Sequence, residues 1–157
     1  MENNKNLYKF LFNNEEKRTT IIKEMEQYLN ETIQGIENTW KSQGVIEKNS
    51  NKYNTYLQTV LSQLQTLNDE LRKMSESNSE SFKKNVNFLL SLEKDNYSNT
   101  LNIFINKLKC FDMLKNDEDD YILIKKEKEI SQLRENLALI REQINDFITN
   151  LKYKTLD

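Results

Sequence analysis

Few residues in this sequence are of types that could carry chemistry. Its 157 residues include one cysteine, Cys110, and no histidine. Histidine is the commonest general base, the usual partner of a cysteine or serine nucleophile and the commonest metal ligand. Because Cys110 has no histidine to activate it, the sequence favours a buried or half-buried structural thiol. We therefore expect a protein that is not an enzyme, with no catalytic residues and no cofactor.

The acidic run Asp117 to Asp120 is the one candidate for a cation site. Its carboxylates are suitable ligands for calcium, but the run lacks the glycine and the terminal glutamate of a helix-loop-helix calcium loop. Carboxylates also favour the positive end of a helix dipole, and a helix is predicted to begin here. The run therefore indicates the start of a helix, and we expect no metal site.

The overall composition predicts an all-α fold. Charged residues make up 31% of the chain and hydrophobic residues 36%, proline is absent, and Gly35 and Gly44 are the only glycines. β-rich folds normally need more turn residues. The 25 acidic and 23 basic residues are mixed along the chain, so no basic field is available to bind nucleic acid. No apolar run approaches the ~20 residues needed to span a membrane.

Residues 1–13 contain a clump of apolar side chains without a clear period. We interpret this segment as an N-terminal arm, either a short helical turn or a docking arm, that precedes the first helix. Lys9 interrupts the clump and no small-residue cleavage site follows, so a secretory signal peptide is not indicated. We expect a cytoplasmic protein that, if it is exported, leaves without a cleaved leader.

Residues 14–75 are predicted to form a first helical hairpin. Between residues 14 and 40 apolar side chains recur about every 3.6 residues, which is typical of a helix. Gly35 inside this helix indicates either a close helix contact or a local kink. The pattern then stops, and Gly44 can close the helix at little cost. We place Trp40 and Gly44 in the hairpin turn, with the indole plugging the open end.

The second helix, from about Val45 to Met74, carries a heptad seam. Its apolar residues alternate at spacings of four and three, which keeps one stripe facing a partner helix. These seam residues are Tyr53, Leu57, Val60, Leu64, Leu67, Leu71 and Met74. The serine-rich segment 75–81 that follows is the clearest linker in the chain.

Residues 82–157 are predicted to form a second helical hairpin. Its first helix has an apolar stripe too wide for a two-helix seam, so we place it innermost. The last helix, about 118–153, carries a second seam, formed by Ile130, Leu133, Leu137, Ile140, Ile144, Phe147 and Leu151. We predict elongated antiparallel hairpins that form a four-helix bundle or coiled-coil rod, with both seams partly exposed as interaction surfaces for a helical protein partner.

Two short motifs carry a family resemblance. The helix ending at Trp40, the turn with Gly44 and the second helix with spaced leucines resemble the WXG superfamily of small helical hairpins handled by type VII secretion systems. The tail, with Tyr153 and Asp157, is similar to the Tyr-x-x-x-Asp export signal of that system. The resemblance implies turn roles for Trp40 and Gly44 and export-signal roles for Tyr153 and Asp157. Three residues lie between Trp40 and Gly44, whereas the usual motif is Trp-x-Gly, and a second pair of helices lengthens the chain.

A closer resemblance is to the small helical proteins that bind the N-terminal helical domain of LXG-type toxins. It implies a non-catalytic adaptor that binds the helical leader domain of a secreted toxin or effector and promotes its type VII export. A second small helical protein is a further expected partner, as in WXG hairpins. Two alternatives remain open: a structural coiled-coil scaffold, and an immunity protein or other inhibitor that covers a partner's active site.

Overall fold

A computed structural model describes residues 2–39, 45–116 and 119–156, with side chains described at 4–39, 52–114, 116 and 119–156. Four helices occupy these residues: α1 Glu2–Thr39, α2 Val45–Glu76, α3 Glu80–Lys115 and α4 Asp120–Leu156. The described ranges contain no strand, and the all-α prediction is confirmed. With 37 residues at 1.5 Å each, α4 is about 55 Å long, so the bundle is elongated.

Side-chain contacts give the direction of each helix. Arg18 of α1 hydrogen bonds to Asn68 of α2 while Tyr28 stacks on Tyr56, so α1 and α2 are antiparallel. The α3 and α4 helices form an antiparallel pair in the same way. Both α1 and α3 contact all three other helices, whereas α2 and α4 do not touch within the described ranges. Helix α3 is thus central as predicted, but it shares that place with α1.

The first helix is longer than the sequence pattern predicted. It begins at Glu2 and runs without interruption to Thr39, so the prediction of a separate arm over residues 1–13 is wrong. The physical reason is that the buried face of α1 continues from Leu7 and Leu11 through Asn14 and Arg18, all of them buried. Polar residues at these positions hide the helical period from a search for apolar repeats.

The helix ends are fixed by local hydrogen bonds. The Ser79 side chain accepts a hydrogen bond from the backbone N–H of Phe82 and so caps α3. The predicted linker 75–81 shrinks to residues 77–79 because α2 continues to Glu76. At α4, Asp119 Oδ1 accepts a hydrogen bond from the backbone N–H of Tyr121 at 3.0 Å, which is the helix-start role expected of the acidic run.

The apolar interior divides into two clusters. The first, here the terminal core, lies where α1 begins and α4 ends, and all four helices contribute to it. Its members are Leu7, Tyr8, Leu11, Phe12, Leu71, Phe82, Val86, Leu89, Leu90, Leu92, Ile144 and Leu151. The Tyr8 ring meets Phe82 edge-on at 5.3 Å, and its hydroxyl accepts a hydrogen bond from Asn85.

The second cluster, here the distal core, lies toward the other end of the bundle. Its buried members are Ile22, Met25, Leu29, Ile36, Val60, Leu64, Phe104 and Leu108, and none of its described members comes from α4. Half-buried aromatic rings surround it, including Tyr53, which meets Phe104 edge-on at 5.1 Å. Gly35 lies on α1 in this half, and a Cβ added there would meet no atom within 4 Å. Gly35 therefore does not mark a close helix contact.

The two predicted seams lie mostly inside the bundle. In α2, the buried members are Val60, Leu64, Leu67 and Leu71, and in α4 they are Ile130, Leu137, Ile144 and Leu151. The remaining members, Tyr53, Leu57, Met74, Leu133, Ile140 and Phe147, are half-buried. The expectation of exposed seams is wrong for the buried members, because α2 packs on α1 and α3 while α4 packs mainly on α3.

Candidate functional site

A buried polar layer separates the two apolar cores. Its members lie on α1 and α3 at positions that continue the heptad spacing of the apolar residues around them. They are Asn14, Glu15, Arg18, Glu93, Asn96 and Thr100, and all six are buried. Arg18 is only 1% exposed, and Glu15 and Glu93 are each 5% exposed. Charged residues are rarely buried to this degree unless they are paired.

The Arg18 guanidinium joins α1 to α2. Its Nη2 donates to Asn14 Oδ1 at 2.6 Å and its Nε donates to Asn68 Oδ1 at 3.0 Å. Asn14 in turn donates from Nδ2 to the backbone carbonyl of Leu67 at 2.9 Å. Arg18 Nη1 lies 3.6 Å from Glu15 Oε1, which makes an ion pair without a hydrogen bond.

The carboxyls of Glu15 and Glu93 form a pair beside Arg18. Neither oxygen of Glu15, nor Oε2 of Glu93, accepts a hydrogen bond from the described part of the chain. Burial, reinforced by the Glu93 charge and opposed by Arg18, raises the pKa of Glu15 to about 8. Burial also raises the pKa of Glu93, opposed by Arg18, Asn96 and Arg141. Because the pKa of Glu15 is raised above neutral pH, its carboxyl holds a proton at pH 7, and this removes one of the two negative charges beside Arg18.

Arg141 connects α4 to this layer. Its Nη2 lies 2.6 Å from Glu26 Oε2 on α1, and its Nε donates to Asn96 Oδ1 on α3 at 3.1 Å. The same Nη2 lies 3.3 Å from Thr100 Oγ1. One side chain thus joins three helices at the edge of the polar layer.

Beside the polar layer, α1 and α4 separate to form a cavity of about 800 Å³, here the α1–α4 groove. Glu15, Glu93 and Asn96 are among its polar lining residues, and four apolar side chains also line it, those of Phe12, Ile22, Ile144 and Ile148. Glu26 and Arg141 line the groove as well, and their ion pair bridges α1 and α4. Lys152 lies over the Phe12 ring, 5.5 Å from its centroid.

This arrangement can hold a proton or pair with a cation. Cys110 is half-buried and lies elsewhere on α3, where burial is the main cause of a raised pKa of its thiol. Across the described ranges, no group of three or more histidine, cysteine, aspartate or glutamate residues is placed to hold a metal ion. No helix in that part of the chain is long and apolar enough to span a membrane.

Known proteins supply no template for the site. No family, curated protein or solved structure matches this chain. The polar layer and the α1–α4 groove must therefore be interpreted from their own geometry.

The residues singled out from the sequence are not gathered at this site. Trp40, Gly44 and Asp157 lie outside the described residues. Tyr153 lies near the end of α4 with 76% of its surface exposed, and it does not line the α1–α4 groove. Two seam residues do reach the site, since Ile144 lines the groove and the carbonyl of Leu67 accepts the hydrogen bond of Asn14.

Sequence reasoning missed the charged members of the polar layer. The available signal was the interruption of the apolar rows in α1 and α3, because the α3 row passes from Leu90 to Tyr97 with Glu93 between them. A charged residue at a heptad core position can specify helix register and partner choice.

Proposed function

We propose that this chain is a non-catalytic helical partner protein that binds the helical leader domain of a secreted toxin or effector and promotes its type VII export. The observation that carries the proposal is the α1–α4 groove, a cavity of about 800 Å³ on one side of the helical bundle. Amphipathic helices commonly bind by laying an apolar face into such a groove. The resemblance of the Trp40–Gly44 region and of the tail to type VII proteins supplies the kind of partner.

Two surface features support a role in protein recognition. Tyr121, Ile122 and Ile124 are exposed at the start of α4, and exposed apolar side chains that lie together often mark interaction sites. Tyr153 is exposed near the end of the same helix, where a secretion ATPase could read it. A homodimeric scaffold would need a free heptad seam, whereas the buried seam residues of α2 and α4 contact this chain's own helices.

Deletion and rescue of the gene in the source bacterium test the proposal. We expect deletion to leave a toxin with a helical leader domain inside the cell and to remove it from the medium. A wild-type copy should restore export, and Tyr153→Ala should not. Leu139→Ala is the control, because Leu139 is also exposed on the same helix and lies outside the exposed group at its start, and it should restore export.

Other outcomes separate the alternatives. Unchanged export of such toxins after deletion would show that the chain is not an export adaptor. Death or growth arrest on deletion, with export intact, would identify an immunity protein. Full rescue by Tyr153→Ala would leave the adaptor role standing but would show that the tail is not the export signal.

A further inference from the structure

The lining of the α1–α4 groove contains both carboxyl groups and apolar side chains. Glu15 and Glu93 line it, each about nineteen-twentieths buried. Arg18 is the one cation in ion-pair contact with Glu15 across the described residues. Two ionised carboxylates beside one guanidinium lack one positive charge, and buried charges are stable only when paired.

We propose that the α1–α4 groove binds a helical segment of the partner that carries one lysine or arginine, whose cation pairs with Glu15 and Glu93. This inference rests on the proposed function, since the segment belongs to the leader domain. The polar contacts of Arg18 with Asn14 and Asn68 hold it on the α2 side of the layer. The side of the carboxyl pair that faces the groove is therefore where the second cation binds.

The other charged groups around the carboxyl pair are engaged elsewhere. Both oxygens of Glu15 and Oε2 of Glu93 are themselves buried, so a cation reaches them when these side chains turn toward the groove. On α4, Arg141 is engaged by Glu26 and Asn96, and Lys152 lies over the Phe12 ring. The α2 side chain that hydrogen bonds to Arg18 of the layer is Asn68, which has no charge. Three further charged side chains line the groove, namely Glu16, Lys23 and Glu142. All three are exposed, so solvent screens their charges, and the buried carboxyls of Glu15 and Glu93 set the preference for a cation.

The spacing of the apolar side chains that line the groove determines the length of the segment that it can bind. Phe12 and Ile22, on either side of Glu15 along α1, both line the groove, and ten residues of helix span about 15 Å. An amphipathic helix of about three turns matches this length, with apolar side chains one turn before and one turn after its cation. A free amine would pair with the carboxyls but would leave the apolar side chains of the groove uncovered.

Cation binding at this pair must displace the proton that the pair holds. The proton leaves the Glu15 carboxyl for solvent, and the incoming ammonium or guanidinium takes over its charge. Since the pKa of Glu15 lies at about 8, the binding-competent ionised form is a minor species at pH 6. Affinity should therefore rise by roughly tenfold or more between pH 6 and pH 8 and level off above pH 8.

The first experiment tests the site chemistry with the full chain alone. The chain is titrated at pH 7 with n-butylammonium chloride, which carries the end group of a lysine side chain, and proton release is followed with a pH indicator. Sodium chloride at equal ionic strength is the reference. Wild type should release protons in a saturable way, approaching one per chain, and Glu15→Gln should release none. Glu16→Gln, an exposed neighbour on the same groove, should behave as wild type.

The second experiment tests the partner. Binding of the toxin leader domain found in the export experiment is compared for wild type, Glu15→Gln and Glu16→Gln. Loss of a buried charged pair should weaken binding of Glu15→Gln by at least about thirtyfold, while Glu16→Gln stays near wild type. Melting curves show that each variant is folded, and Glu93→Gln serves as the second variant if Glu15→Gln is not.

Each outcome decides the inference separately from the proposed function. Proton release no greater in butylammonium than in sodium chloride overturns it. Leader binding that is equal in wild type and Glu15→Gln also overturns it, because the leader then binds elsewhere and the adaptor role survives. If butylammonium releases protons but no toxin leader domain binds the chain in the second experiment, the groove is a site for free amines. Both the docking inference and the adaptor role then fail.

Discussion

The terminal and distal cores use the same helices in different ways. All four helices meet in the terminal core, where Leu11, Val86 and Leu89 are fully buried. The distal core is built from α1, α2 and α3, and half-buried tyrosines complete it. Where α4 contributes to a core it packs mainly on α3, and the α1–α4 groove opens beside it. Where it does not, its first turns expose Tyr121, Ile122 and Ile124. Each half of the molecule therefore offers a different surface to a partner, a groove in one and exposed side chains in the other.

The polar layer marks the transition between the two cores. Across it, Arg18 ties α1 to α2, and Arg141 ties α4 to α1 and α3. Because these contacts are specific, they set the register of all four helices at one level of the rod. The two cores therefore need not contribute equally to stability, and substitutions can separate their contributions.

The largest effect is expected from Phe82→Ala in the terminal core. Phe82 is almost fully buried, and removing a buried phenylalanine costs about 3 to 5 kcal/mol. The matched change in the distal core, Phe111→Ala, removes a half-buried ring and should cost about half as much. Urea unfolding followed by circular dichroism measures both. Equal losses would show that the two cores are equally well packed, contrary to the comparison.

The next effect is expected at Arg18 in the polar layer. Arg18→Met removes the cation beside Glu15 and Glu93, and breaking a buried pair costs about 3 kcal/mol or more. The loss should be larger at pH 8 than at pH 6, since the two carboxyls can take up protons when the pH is low. Arg72→Met, at an exposed ion pair with Asp69, should cost less than about 1 kcal/mol. A loss at Arg18 as small as that would mean the layer contributes no specific stability.

A pH dependence of unfolding should also originate in the polar layer. The pKa of Glu15 is raised from 4.5 to about 8, so between these values the folded chain binds more protons than the unfolded chain. The free energy of unfolding then falls as pH rises, by up to about 1.4 kcal/mol per pH unit, hence roughly 2 kcal/mol between pH 5.5 and pH 7.0. Glu15→Gln should flatten this slope and Glu16→Gln should keep it. A slope that survives in Glu15→Gln would place the proton on another group.

The smallest effect is expected at the exposed tyrosines of α4. Tyr153→Ala and Tyr121→Ala remove highly exposed rings, so each should change the free energy of unfolding by less than about 0.5 kcal/mol. Tyr153→Ala should abolish export without a matching loss of stability. A clear destabilisation by Tyr153→Ala would mean that any export defect reflects folding and not recognition.

The helices could be predicted from the sequence where apolar spacing was unbroken. Helix α2 was predicted from about Val45 to Met74 and runs from Val45 to Glu76, because its heptad row is apolar without interruption from Tyr53 to Met74. The start of α1 was missed, since Asn14 and Arg18 stand at positions where a helix normally shows apolar residues. The spacing of apolar residues identifies the buried face of a helix only when every residue on that face is apolar.

The candidate site could not be predicted for a related reason. Burial of Arg18 becomes plausible only when Asn68 is near, and these residues lie 50 positions apart in the sequence. The Arg141–Glu26 pair spans 115 positions. No local pattern contains that information, because it depends on which helices become neighbours. The seams were recognised as packing surfaces, but their spacing does not say whether the facing helix belongs to the same chain.

The separation of 115 positions between Glu26 and Arg141 also has a consequence for the folding pathway. Contacts within each hairpin join helices that follow one another in sequence, and such local contacts form early because little loop entropy is lost. The contact between α1 and α4 requires both hairpins to have docked, so it should form last. By the same reasoning it should be the first to open in native-state hydrogen exchange, with amides of α4 near Arg141 exchanging before those of α3 near Val86.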